Sequence, residues 1–130
     1  MSIESVGIII PMKSGAAITR GCFVKLDSTN ARQVVISAAE GDLTIGVAVE
    51  AASGADKWIG VQINGVAMVQ FGGTVNVNGP VESNNAGKAV AAAGAASNTL
   101  GYFIGSATAA SGEEHPVLLT TPVALGAPNA

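Results

Sequence analysis

The sequence predicts an all-β fold, a small barrel or sandwich, on three observations. Short runs rich in β-branched residues recur along the chain, and clusters of Gly, Asn, Asp or Ser punctuate them at intervals of roughly 8–12 residues. The second half of the chain then restates the pattern of the first in a degenerate form.

The opening segment "SIESVGIIIPMKSGAAI" is apolar and kept extended by Pro11. It precedes the repeated text, so residues 1–15 are assigned as an extended N-terminal arm. Two readings follow. The segment is a first strand of the sheet, or it lies outside the core and adds a strand to a partner's sheet through main-chain hydrogen bonds. On the second reading Ile3, Val6, Ile8, Ile9 and Ile10 carry the contact, and removal of residues 1–12 leaves the domain folded.

Strands are then predicted at "CFVKL" (22–26), "RQVVIS" (32–37), "LTIGVAVE" (43–50), "WIGVQI" (58–63) and "VAMVQF" (66–71). The separators "LDSTNAR", "AAEGD" and "AASGADK" supply turn chemistry, Gly for positive φ and Asn or Asp to bond their own backbone. The stretch "NAGKAVAAAGAASNTLG" (85–101) is rich in Ala, the best helix former. Gly87 and Gly94 would each cost about 1 kcal/mol in a helix, and no wide stripe of large apolar residues is present. A strand "KAVAAA" followed by a loop "GAASNT" fits better. The tail, 123–130, is expected to be extended or loosely held.

The repeat sets the domain organisation. "DSTNAR" lies over "SNNAGK", "QVVISAAEGD" over "AVAAAGAASN", "TIGVAV" over "LGYFIG" and "AASGADKW" over "AASGEEHP". One β-domain, residues 16–122, is therefore expected to contain pseudo-repeats 16–65 and 74–121, each with too few strands to hide its apolar face alone.

Composition narrows the function. The chain is 48% hydrophobic, 4% aromatic and 12% charged, so its apolar content is Ala, Val and Ile, which make a thin core. With a mean hydropathy of +0.46, a lone copy would expose more apolar surface than soluble proteins usually carry, which points to an oligomer or a large partner. A net charge of −3 with scattered basic residues argues against nucleic-acid binding. The apolar run at 6–10 is too short for a membrane span, which needs about 20 residues, and has neither the basic start nor the cleavage site of a signal peptide.

Catalytic chemistry is poorly supplied. His115, the sole histidine, sits in an acidic turn with Glu113 and Glu114 and is expected to be solvated. Cys22 is expected to be a buried thiol, and a Cys22–His115 dyad would have to be assembled across the two halves. No catalytic, metal-binding or cofactor-binding residue is assigned: "DSTNAR" lacks the acidic spacing of a calcium loop, and the Gly-bearing segments lack the ending of a phosphate loop. Trp58, the sole tryptophan, is the candidate interface residue.

The segments "ITRGCFVKL", "GDLTIGVAVEAASGADKWIGVQINGVAMV" and "FGGTVNVNGPVESNNAGKAV", followed by a Gly-centred strand, resemble the phage capsid cement, or head decoration, proteins. The likeness runs from about residue 16 to 120 and rests on Gly21, Gly46-Val47-Ala48, Ala52-Ser53-Gly54, Val61 with Ile63, Gly65 with Ala67, and "NAGKAV" at 85–90. "HPVLL" (115–119) departs from it in being weakly β-forming. The resemblance implies a non-enzymatic virion structural protein, a homotrimer that binds the outer surface of an icosahedral head and clamps neighbouring major capsid subunits. The contrasting hypothesis, a β-module that binds a glycan or receptor, needs an aromatic platform, for which five aromatic residues are few.

Overall fold

The computed structural model describes residues 7–38, 44–92 and 99–120, and among these it contains ten β-strands and no helix. The strands are β1 (Ile9–Ser14), β2 (Phe23–Leu26), β3 (Gln33–Ile36), β4 (Thr44–Ala48), β5 (Trp58–Gln62), β6 (Gly65–Gln70), β7 (Pro80–Ser83), β8 (Ala89–Ala91), β9 (Gly101–Phe103) and β10 (Glu114–Leu119). The all-β prediction holds.

β1–β5 form a closed barrel in the order β1-β3-β2-β4-β5, with β5 returning to pair with β1. Only the β1/β3 seam is parallel. β6–β10 form a five-stranded sheet in the order β6-β10-β9-β7-β8. Advancing each barrel strand by one half-chain, β1 to β6, β2 to β7 and so on to β10, reproduces that order. Even the closing contact survives in reduced form: where Ser14 pairs with Val34 in the barrel, Phe71 makes a single parallel bridge to Ala89. The antiparallel bridge Ile18–Ala52 likewise returns as Val75–Ala109. The two halves are one topology used twice.

This corrects the expected arm. Residues 9–14 are the first strand of the first unit, paired along five positions with β5 and held to β3 by Lys13 N–H donating to Arg32 O and Gly15 N–H donating to Val34 O, both 2.8 Å. The cause is period-2 patterning: Ile10 and Met12 turn into the barrel core while Ile9 and Pro11 face out, which a single apolar run conceals. The structural units therefore begin earlier than 16 and 74, at β1 and β6.

Equivalent glycines mark the repeat. Gly46 in β4 pairs with Val24, and Gly101 in β9 pairs with Val81. A Cβ on Gly46 would overlap the Gln62 carbonyl oxygen, and one on Gly101 the Leu118 carbonyl oxygen, so both units need a bare backbone where the neighbouring strand comes close. The sequence alignment, which set "TIGVAV" over "LGYFIG", was one residue out of this register.

The interiors differ. Met12, Ile18, Val24, Val34, Ala48, Ala52, Ile59 and Val61 fill the barrel without an aromatic ring. All three phenylalanines, Phe23, Phe71 and Phe103, lie in the second cluster with Val69, Val75, Val81 and Val117. Phe23 comes from the barrel: with its cross-strand partner Val47 it faces outward from β2 and β4 and is sealed beneath the second unit, both at 0% exposure. Main-chain bonds fix that junction, Phe23 N–H donating to Gly87 O at 2.7 Å and Gln70 N–H to Gly21 O at 2.9 Å. Gly87 has φ +74°, and a Cβ there would press on Ile36 Cγ2 at 2.6 Å and Phe23 O at 2.9 Å. Only glycine gives both that turn and that approach.

β10 is another departure from expectation. "EHPVLL" forms a full six-residue strand in mid-sheet, between β6 and β9. Pro116 is tolerated because its carbonyl, and with it the direction of its missing N–H, faces the β9 side, where β9 has already ended at Phe103. In the stretch 85–101, "AVA" is strand β8 as predicted, whereas most of the expected loop lies outside the described residues.

Candidate functional site

The outward face of the β1–β5 seam gathers candidates that lie far apart in sequence. Because Ile59 and Val61 point into the barrel, Trp58 and Gly60 point out, and β1 contributes Ile9, Pro11 and Lys13 to the same face. Register sets Lys13 opposite Trp58 and Pro11 opposite Gly60. A groove results, lined by Ile9, Ile10, Pro11, Glu50, Trp58, Ile59 and Gly60. Gly60 is its floor: a Cβ there would lie 2.9 Å from Ile9 Cγ2 and 3.1 Å from Val49 Cγ2. Glu50 Oε1 accepts the Gly60 N–H at 2.7 Å and holds one wall.

Trp58 is 57% exposed, more than any other large hydrophobic residue described. Two cations stand against its ring, Lys13 Nζ at 5.8 Å and Arg32 Cζ at 5.7 Å from the centroid. Arg32 is positioned by its own backbone, at φ 59°, and by Nη2 donating to Pro11 O at 2.8 Å. Each such cation–π contact at an exposed site contributes about 0.5–1 kcal/mol, enough to orient the ring without burying it. The groove thus offers an apolar trough beside concentrated positive charge on a chain whose net charge is negative.

The structure brings Ile9, Ile10 and Trp58 together in this groove and leaves Ile8 exposed at its approach, tied by its N–H donating to Asn64 Oδ1 at 2.9 Å. Ile3 and Val6 lie outside the described residues. Pro11, Lys13, Arg32 and Gly60 were not singled out in the sequence. The usable signal was Gly60 between two inward-pointing residues beside the only tryptophan.

The other candidates go elsewhere. His115 is half-buried, with Nε2 2.8 Å from Glu113 Oε1 and its ring edge-on to Phe71 and Phe103 at 5.5 and 5.2 Å. The expectation of a solvated histidine is corrected, since β10 carries the ring against the second unit's aromatics. The hydrogen bond from His115, assisted by the Ala110 N–H, holds the Glu113 carboxyl below its usual range. Cys22 is buried, and desolvation pushes its thiol up, partly offset by Lys88. Among the described residues no group of three or more His, Cys, Asp or Glu is placed to hold a metal ion. What the groove can do chemically is bind.

Residues 1–63 match the model of a family described as phage cement protein, a span that contains the whole closed barrel and its groove. No curated protein matches the sequence. Among solved structures, the head fiber gp8.5 N base of bacteriophage phi29 matches with a TM-score of 0.70 at 17% identity, covering 87% of this chain and 93% of that one. That match shows a shared fold across both units.

Proposed function

We propose, from the match of residues 1–63 to the phage cement protein model, that the chain is a capsid-associated structural component of a virion that docks on the outer surface of an icosahedral phage head and clamps neighbouring major capsid subunits. The observation that carries this reading is the groove at the β1–β5 seam, in which the exposed Trp58 ring is flanked by Lys13 and Arg32. Interface energy concentrates in such aromatic and Arg positions. The fitting partner is a capsid segment that presents an apolar side chain to the trough and a carboxylate to the two cations. As a non-enzymatic homotrimer, the protein would place several such grooves on one capsomer junction and gain affinity from linkage.

A sugar platform is less well supported, because two cations already occupy the surroundings of the only exposed indole. The test is co-sedimentation with expanded heads of the cognate phage. Trp58→Ala is expected to weaken retention by about 30-fold, the effect of losing a hot-spot side chain, and raised salt to weaken it further through Lys13 and Arg32. Undiminished retention of the variant, or retention of the wild type on a glycan array but not on heads, would sink the proposal.

A further inference from the structure

The second unit is completed by the first. In the barrel, Lys13 N–H donates to Arg32 O and Gly15 N–H to Val34 O, both at 2.8 Å, and these two bonds close β1 on β3. At the equivalent positions only the second bond is kept, Gly72 N–H donating to Ala89 O at 2.8 Å. The partners of the first bond each turn to another segment: Gln70 N–H donates to Gly21 O at 2.9 Å, and Gly87 O accepts from Phe23 N–H at 2.7 Å. Gly87, at φ +74°, keeps the left-handed turn of its counterpart Arg32, at φ 59°, so the shape of the closure is retained while its bond goes to the barrel. Residues 20–23 thus bridge β6 and the start of β8 as a strap, fastened by Gln70 Nε2 donating to Arg20 O and by Arg20 Nη1 on Glu114 Oε2 at 2.8 Å.

The dependence runs one way. The barrel interior is drawn from residues 10–63 alone, whereas the second interior includes Phe23 and Val47 of the first unit. The outer row that supplies them, Phe23–Val47–Gln62 across β2, β4 and β5, is fully buried. Its equivalent, Pro80–Tyr102–Leu118, lies open, with Tyr102 42% and Leu118 43% exposed, and gives no side chain to the barrel. Pro80 stands where Phe23 does and has no N–H to donate. Opening of the second unit costs the barrel only the cover of its outer row, whereas opening of the barrel takes from the second unit two core side chains and the strap.

We propose that the barrel stands on its own and that the second unit stays folded only while the strap and its two side chains are in place, so that it opens and recloses on a barrel that remains intact. The Trp58 groove lies wholly in the barrel and persists through that opening. None of this depends on what the groove binds.

The test is native-state hydrogen exchange of the full chain in low denaturant, read amide by amide by NMR. In wild type the amides of β6–β10 are expected to exchange through a smaller opening than those of β1–β5. Val61 and Val117, both fully buried, occupy equivalent positions opposite Ile10 and Ala67 and give matched variants. Val117→Ala is expected to lower protection about tenfold in both units, because barrel amides exchange only once both units are open. Val61→Ala is expected to lower it about tenfold in β1–β5 alone, because the state with only the second unit open carries the same defect as the native state. Phe23→Leu, although in β2, is expected to act on both units as Val117→Ala does. Both valine variants lowering both units would mean one cooperative body, and each acting only in its own unit would mean independent units; either pattern, or the reverse of the expected one, would overturn the proposal. So would equal wild-type protection in the two units, or Phe23→Leu acting on β1–β5 alone.

Discussion

The two units share one strand order, yet the first is closed and the second is not. At the position where the barrel carries Ser14 against Val34, the second unit carries Phe71 against Ala89 and a single bridge. The barrel interior holds aliphatic residues only, whereas the second holds Phe71 and Phe103, packed edge-on at 5.2 Å, and admits Phe23 from outside. Larger side chains in an incompletely closed sheet let it receive its neighbour's face. Identical topology therefore yields one unit with its outer row buried and its seam free for a partner, and one with its outer row free. What differs is not the fold but what each unit has left to cover.

The comparison can be broken most severely at β1. Deleting residues 1–12 removes most of the strand that closes the barrel, and the product is expected to lose its cooperative unfolding transition, whereas deletion of residues 1–6 stops short of β1 and is expected to keep it. Thermal unfolding followed by circular dichroism checks both. A folded 1–12 deletion would restore the arm as a separable appendage.

A smaller effect separates the equivalent rows. Phe23→Ala empties a fully buried site and is expected to cost about 3–5 kcal/mol, while Leu118→Ala on the open row is expected to change the unfolding free energy by no more than about 0.5 kcal/mol. Denaturant unfolding at low protein concentration measures both, and equal losses would mean the two faces are not in opposite states. At Gly46 and Gly101 the units should instead agree, because each Cβ meets a neighbouring carbonyl; Gly46→Ala and Gly101→Ala are each expected to cost about 1–3 kcal/mol. A tolerated substitution at one of them would break the equivalence there.

Much of this was legible in the sequence. β-branched runs located the strands, and the doubled order of turn and strand located the two halves. Three features were not, each for a physical reason. The membership of β1 in the first unit depends on its pairing with β5, a contact across some fifty residues that no local pattern encodes. The groove follows from that same pairing, so Ile9 and Trp58 could be nominated separately but not together. "EHPVLL" looked unlike a strand because Pro116 is judged by propensity, whereas its cost depends on which side its missing N–H faces. The repeat register slipped by a residue at Gly46 and Gly101 because Ala, Gly and Val recur too often for spacing alone to fix it.

The smallest effect lies at His115. Its hydrogen bond lowers the folded-state pKa of Glu113, so the stabilisation is present above the ordinary glutamate range and is lost as pH falls through the depressed value. Glu113→Gln is expected to flatten that acid limb of the stability curve, a feature with no counterpart in the barrel, where Ile59 takes the equivalent place. An unchanged acid limb would remove the interaction from the account.

The most direct test of the central claim is a reconstruction of decorated heads by electron cryomicroscopy at a resolution that separates strands. The expected map has the barrel against the shell, with the Trp58 groove at the capsid contact. A map with the second unit seated on the shell and the Trp58 groove open to solvent would contradict it.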